Sequence, residues 1–258
     1  VIEPDTLQLW AESGKSLASL SSDAGTLMLF REVDARSAAS SSALPGEIGW
    51  NYDRAELIAD GIMHAAGVLL GLIGAAALAV IALRRNGDAV GPVLIYVAVL
   101  FVMLAISAAY NVWPVSPVKW LLRRFDHSAI YFLIAGTYAP FLAQMTSSLV
   151  APWLSIGLWA SAGIGTALKL LLPGRFDGLS IGLYLLLGWS GLLVYPSFAA
   201  DIPQASVYLL VLGGLLYSLG VVFHSWERLR FHNAIWHGFV LLAAICHYFA
   251  VLLGAAVR

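Results

Sequence analysis

Three ionisable side chains, Glu56, Asp60 and His64, follow one another at four-residue intervals. On a helix that spacing places all three on one face, with His64 about 12 Å beyond Glu56 at a rise of 1.5 Å per residue. The pattern recurs. Ser107 and Asn111 are four apart, Asn233 and His237 are four apart with His232 alongside, and Asp126 and His127 open an apolar run. Imidazole and carboxylate on facing helices are ligands with which a bundle holds zinc, and zinc brings the pKa of a bound water to about 7. A nearby acid then orients the water or a ligand. The alternative is a structural hydrogen-bond network that ties helices together.

What positions these residues follows from composition. The chain has 258 residues, 60% hydrophobic and only 11% charged, with a mean hydropathy of +0.83. Soluble domains carry about 25% charged residues, so this chain has too little charge to cover a water-soluble globule. It reads as an integral membrane protein. With 14 Lys+Arg against 15 Asp+Glu there is no basic excess to bind nucleic acid. A single cysteine, Cys246, excludes an intrachain disulfide and a cysteine zinc cluster.

Residues 1–50 differ from the rest. They are acidic and Ser/Ala-rich, with no apolar run of spanning length and no basic segment before a hydrophobic one. They read as a flexible acidic extension, or as the product of a translation start placed too far upstream. Residues 51–258 form the membrane domain. There, apolar runs of roughly 20 residues, the length that crosses a bilayer, predict seven helices: Leu57–Leu83, Pro92–Trp113, His127–Met145, Val150–Leu172, Leu179–Ala199, Ala205–Phe223 and Ala234–Val257. No strand-like alternation supports a barrel, and Pro and Gly cluster at the joints. The fold class is therefore all-α, a seven-transmembrane helix bundle.

Basic residues near the membrane set its orientation. On the side of the N-terminus and the even-numbered loops stand Arg54, Lys119, Arg123, Arg124, Lys169, Arg175, Arg228 and Arg230; the other side has Arg84, Arg85 and Arg258. Eight against three predicts the N-terminus in the cytoplasm and the C-terminus outside, in a multi-pass protein of the cytoplasmic membrane. On this frame the polar residues of the first, second, third and seventh helices converge on the cytoplasmic face as a polar pocket. Charged groups at membrane depth are costly and mark cavities or pathways.

Other candidates carry less. Gly178-Leu179-Ser180-Ile181-Gly182 matches a nucleophile elbow, which needs a strand before its turn; here it opens an apolar helix, where the glycines read as a packing seam. His247 is about 15 Å beyond His237 and reads as a helix-packing hydrogen bonder. The seventh helix has no lysine for a retinal Schiff base.

The segments Arg124–Tyr131 (RFDHSAIY), Ala135–Pro140 (AGTYAP) and Ala234–Val240 (AIWHGFV) resemble the hemolysin III proteins, the bacterial branch of the progestin and adipoQ receptor family. More distantly they resemble alkaline ceramidases. Ala55–His64, Ser107–Pro114 and Tyr217–Val221 fit the same pattern, from about Tyr52 to the C-terminus. The resemblance implies a seven-helix bundle and a zinc ion held by three histidines near the cytoplasmic face, with an Asp that orients water and a supporting Ser. Carried over, the Ser is Ser107 and the Asp is Asp126. The three histidine positions are Asn111, Asn233 and His237, so two of the three ligands are amides. An amide oxygen is a hard, weak ligand for zinc, and His232, turned about 100° from Asn233, does not inherit its place on an ideal helix. Three outcomes stand open: loss of zinc; a site rebuilt from His237, Asp126 and some of His64, His127 or His232; or a hydrogen-bond network alone.

The function implied is metal-assisted hydrolysis of a membrane-lipid amide. The alternatives are a non-catalytic receptor or lipid-responsive regulator and, from the family's name, a pore-forming cytolysin.

Overall fold

The computed structural model describes residues 52–85, 90–114, 116–145, 149–171 and 177–256. The acidic segment 1–50 and the joints at Asn86-Gly87, Thr146–Ser148 and Pro173-Gly174 lie outside the described residues. The described chain is built of helices: α1 (Arg54–Arg85), α2 (Val90–Val112), α3 (Pro117–Leu142), α4 (Val150–Leu171), α5 (Asp177–Trp189), a 3-10 turn (Ser190–Val194), α6 (Tyr195–Asp201), α7 (Gln204–Ser225) and α8 (His232–Val251), which ends in a π turn (Leu252–Ala256). No strand occurs among the described residues.

Of these helices, α1, α2, α4, α7 and α8 are long and apolar enough to cross a membrane by length and composition. The other two spans depart from the simple apolar run. The third begins at Pro117, not His127, because Ser116 caps it. The Ser116 side chain accepts from the Lys119 N–H, and Pro117 occupies a first-turn position where its missing N–H costs nothing. Lys119, Arg123, Arg124 and Asp126 therefore sit on α3 itself. The fifth span is not one continuous helix from Leu179 to Ala199 but α5, the 3-10 turn and α6 in series. Tyr138 makes the break tolerable in lipid. Its hydroxyl donates to the Gly188 carbonyl at 2.6 Å and accepts from the Gly191 N–H at 2.8 Å, satisfying backbone groups at the break.

Packing in lipid depends on close van der Waals fit rather than on removal from water. Leu78, Val93, Tyr96, Tyr131, Phe141 and Val251 are fully enclosed, while Leu69, Ile73, Trp153 and Leu186 face outward, as lipid-facing side chains do. The helices α1 and α8 lie parallel: Glu56 touches Phe231, Asp60 touches His237, and Gly74 lies under the Tyr248 ring, which a Cβ at Gly74 would approach to 3.1 Å. Both helices therefore start at one end of the bundle. Asn111, late in α2, meets Asn233 at the start of α8, and Lys119, early in α3, donates to the Asn111 and Trp113 carbonyls at 3.2 and 2.8 Å, so the end of α2 and the start of α3 lie at that end too. The result is a seven-span helix bundle with four polar helix ends gathered together.

Candidate metal centre

Asp53 and Glu56 form a reciprocal cap at the start of α1. The Asp53 carboxylate accepts from the Ala55 and Glu56 N–H groups at 2.8 and 2.9 Å, and Glu56 accepts from the Asp53 N–H at 2.9 Å. The same two acids clamp the turn that precedes α8. Arg230 pairs with Asp53 at 3.0 Å, and the Phe231 N–H donates to Glu56 at 3.1 Å. Phe231 has a φ of 62°, a left-handed conformation uncommon outside glycine. Glu56 thus pins a strained residue from which α8 departs alongside α1. The Glu56 backbone N–H, with smaller help from Ala55 and Arg230, holds the exposed Asp53 carboxyl below its usual range.

One turn deeper the clamp gives way to the cluster. The Asp60 carboxylate accepts from His237 Nδ1 at 2.5 Å and lies 3.6 Å from His64 Nε2. The His64 and His237 rings meet edge to face with centroids 4.3 Å apart. One ligand atom from each of Asp60, His64 and His237 falls within 4.8 Å of the other two, which is a group able to hold a metal ion. His64 is 9% exposed, and its Nε2 is buried with no hydrogen-bond partner. An imidazole nitrogen that makes no hydrogen bond keeps its lone pair free to act as a ligand. Two imidazoles and a carboxylate suit zinc and its neighbours in the transition series.

The amides flank this triad. Asn233 Nδ2 donates to Asp60 at 3.1 Å and to Asn111 Oδ1 at 3.5 Å, while Asn111 Nδ2 donates to the Ser107 carbonyl at 2.9 Å. The Ser107 hydroxyl lies within reach of Asp126, which also feels the charges of His237, His64 and Arg123. A polar cavity of about 40 Å³, bounded by Tyr52, Glu56, Asp60, Tyr110, Asn111 and Lys119 among others, adjoins the triad.

The structure therefore brings together His237, His64, Asn111, Asn233, Ser107 and Asp126, and it leaves His127, His232 and His247 outside the triad. His127 sets its ring against Tyr110 at 6.4 Å, and its carbonyl accepts from the Tyr184 hydroxyl at 2.7 Å. His232 is buried and stacks on Tyr52 at 5.9 Å. His247 Nε2 lies 3.3 Å from the Leu210 carbonyl, which makes it a link between α7 and α8. The residue missing from the expected ligand set is Asp60. Its signal was the four-residue spacing from Glu56 to His64, which identified the face but not its partner across the bundle. A Cβ at Gly178 or Gly182 would meet nothing within 4 Å among the described residues, so those residues do not pack against the seam that the two glycines suggested.

The chain is similar to known proteins. The family model described as Haemolysin-III related matches residues 55–248. "Hemolysin-3 homolog" of Bacillus subtilis (strain 168) is 36% identical over 199 residues, 76% of this chain and 93% of that protein. "Hemolysin-3" of Bacillus cereus is 34% identical over 199 residues, 76% of this chain and 90% of that one. Human "Monocyte to macrophage differentiation factor" is 32% identical over 163 residues, 61% of this chain and 67% of that protein. No solved structure matches the chain. A family match over most of the membrane domain, with two bacterial relatives aligned over nearly their whole length, means that the chain belongs to the haemolysin-III-related family of membrane proteins.

Proposed function

We propose that this chain is a metal-dependent hydrolase of a membrane-lipid amide, with its centre near the cytoplasmic face of the cytoplasmic membrane. The observation that carries the reading is the triad of Asp60, His64 and His237 with its unbonded His64 nitrogen. The three would hold a divalent ion, zinc by family resemblance. Bound there, zinc supplies Lewis acidity and brings the pKa of a coordinated water to about 7. Asp126, with Ser107 beside it, would orient water and take up its proton. The small cavity beside Asp60 gives water a place to sit.

Room for an acyl chain supports the lipid class. A cavity of about 140 Å³ lies among α3, α5, α7 and α8, walled by Leu133, Phe141, Leu185, Val207 and Val211 and reaching Trp236 on α8. The excess of basic residues at the end where α1 and α8 start supports the cytoplasmic placement of the centre. The name of the Bacillus cereus relative suggests lysis; a polar set gathered at one end of the bundle favours a pocket over a conducting path.

Purified chain in lipid vesicles, supplied with a labelled ceramide-type amide, tests the reading. Release of free fatty acid that disappears in His237→Ala supports it. Saturable lipid binding without product points instead to a receptor or lipid-responsive regulator, and conductance across a planar bilayer to a cytolysin.

A further inference from the structure

Family resemblance places a zinc ion among positions 111, 233 and 237, two of which are asparagine here. The hydrogen bonds give those amides a different task. A carboxylate only accepts, so Asn233 must turn its Nδ2 toward Asp60, and it does so at 3.1 Å. Asn111 uses its Nδ2 on the Ser107 carbonyl and offers its Oδ1 to Asn233. Both amides are engaged in bracing Asp60 and one another. Within the triad, a buried ring nitrogen that makes no hydrogen bond belongs to α1: His64 Nε2, 3.6 Å from Asp60 and with its ring against His237.

We propose that the ion is bound by Asp60 and His64 of α1 with His237 of α8, a two-histidine, one-carboxylate set that accepts iron(II) and manganese(II) as well as zinc. Asn111 and Asn233 stay outside the coordination shell and hold Asp60 in place. Exchange of imidazole for carboxylate hardens the donor set, which narrows the advantage of zinc over harder divalent ions, and a two-histidine, one-carboxylate face is a recurrent iron(II) ligand set with open positions. The proposal rests on the reading of the triad as a metal centre and adds its ion class and the place of the two amides outside the shell.

Equilibrium dialysis of the full chain in detergent, stripped of metal and then offered zinc, manganese(II) or anaerobic iron(II), with bound metal counted by mass spectrometry, tests it. One ion per chain is expected with each metal. Asp60→Asn and His64→Ala weaken binding by about a hundredfold or more, and Asn233→Ala by about 10- to 100-fold, the range for groups that orient a ligand. The Asn111→His, Asn233→His double variant shifts preference toward zinc over manganese by about tenfold or more. Circular dichroism melting confirms that each variant is folded, and Asp60→Asn preserves side-chain shape. Binding lost in Asn111→Ala but kept in His64→Ala overturns the proposal, as does a folded wild-type chain that binds none of the three ions. Metal binding without lipid turnover removes the hydrolase reading alone. Turnover and metal affinity both untouched by Asp60→Asn remove this proposal and leave hydrolysis in place.

Discussion

The Asp60 carboxylate and the His237 imidazole, 177 residues apart, meet at 2.5 Å across the α1–α8 contact. That contact joins the first helix to the last and fixes the ring of the one histidine that the resemblance retains at a metal position. It exists because α1 and α8 run parallel from a common end. The clamp of Asp53 and Glu56 on Arg230 and Phe231 holds that end closed.

His237→Ala is expected to abolish lipid amide hydrolysis and also to cost about 3 kcal/mol of stability, since it leaves the Asp60 charge buried without its closest partner. His237→Gln should recover part of the stability and none of the turnover. Thermal unfolding in detergent, run beside the vesicle assay, separates the two effects. Full turnover in either variant contradicts the mechanism.

Glu56 accepts from two backbone N–H groups, those of Asp53 and Phe231. Glu56→Ala should therefore destabilise the chain by about 1–3 kcal/mol and loosen the turn at Phe231. Hydrogen exchange over residues 228–237 should rise in this variant. Unchanged exchange there would show that Glu56 does not restrain the start of α8.

Asp53 gives the account a pH dependence. Its carboxyl titrates below its usual value in the folded chain because of the Glu56 N–H and, secondarily, Ala55 and Arg230. A depressed folded value means stabilisation that is complete above the unfolded carboxyl range, near about 4, and that is lost as pH falls through the folded value. The melting difference between wild type and Asp53→Asn should thus be constant from neutral pH down to about 4 and shrink below it. A difference that grows on acidification would reverse the sign and refute the clamp.

Much of this arrangement is legible in the chain before any coordinates. Apolar runs of spanning length and the bands of charge between them fix the seven spans, because lipid leaves the backbone little choice but helix. The i, i+4 spacings on α1, α2 and α8 likewise mark which faces are polar. Two classes of feature are not written in local pattern. Caps and backbone rescue are one: Ser116-Pro117 moves the start of α3 back to include Lys119, and Tyr138, from another helix, licenses the break in the fifth span. Partners across the bundle are the other. Periodicity puts Asp60 and His64 on one face but says nothing of the rotation of α8, so it does not distinguish His237 from His232 as their neighbour. Rotation is decided by packing, at points such as Gly74 beneath Tyr248.

Packing density yields a paired prediction on α4. A Cβ at Gly165 would fall 2.6 Å from the buried Tyr131 ring, whereas one at Gly163 meets nothing within 4 Å. Gly165→Ala should cost about 1–3 kcal/mol through forced displacement of that ring. Gly163→Ala should stay within about 0.5 kcal/mol of wild type. Equal effects of the two substitutions on detergent melting would contradict the α3–α4 packing described.

The most direct test of the central claim is X-ray absorption on the purified, metal-loaded chain, compared with Asp60→Asn and His64→Ala. The account predicts one ion per chain with two imidazole scatterers and a carboxylate oxygen in its shell, the oxygen contribution altered by Asp60→Asn and one imidazole lost in His64→Ala. An ion whose spectrum is the same in all three proteins, or a folded chain that takes up no ion, would contradict it.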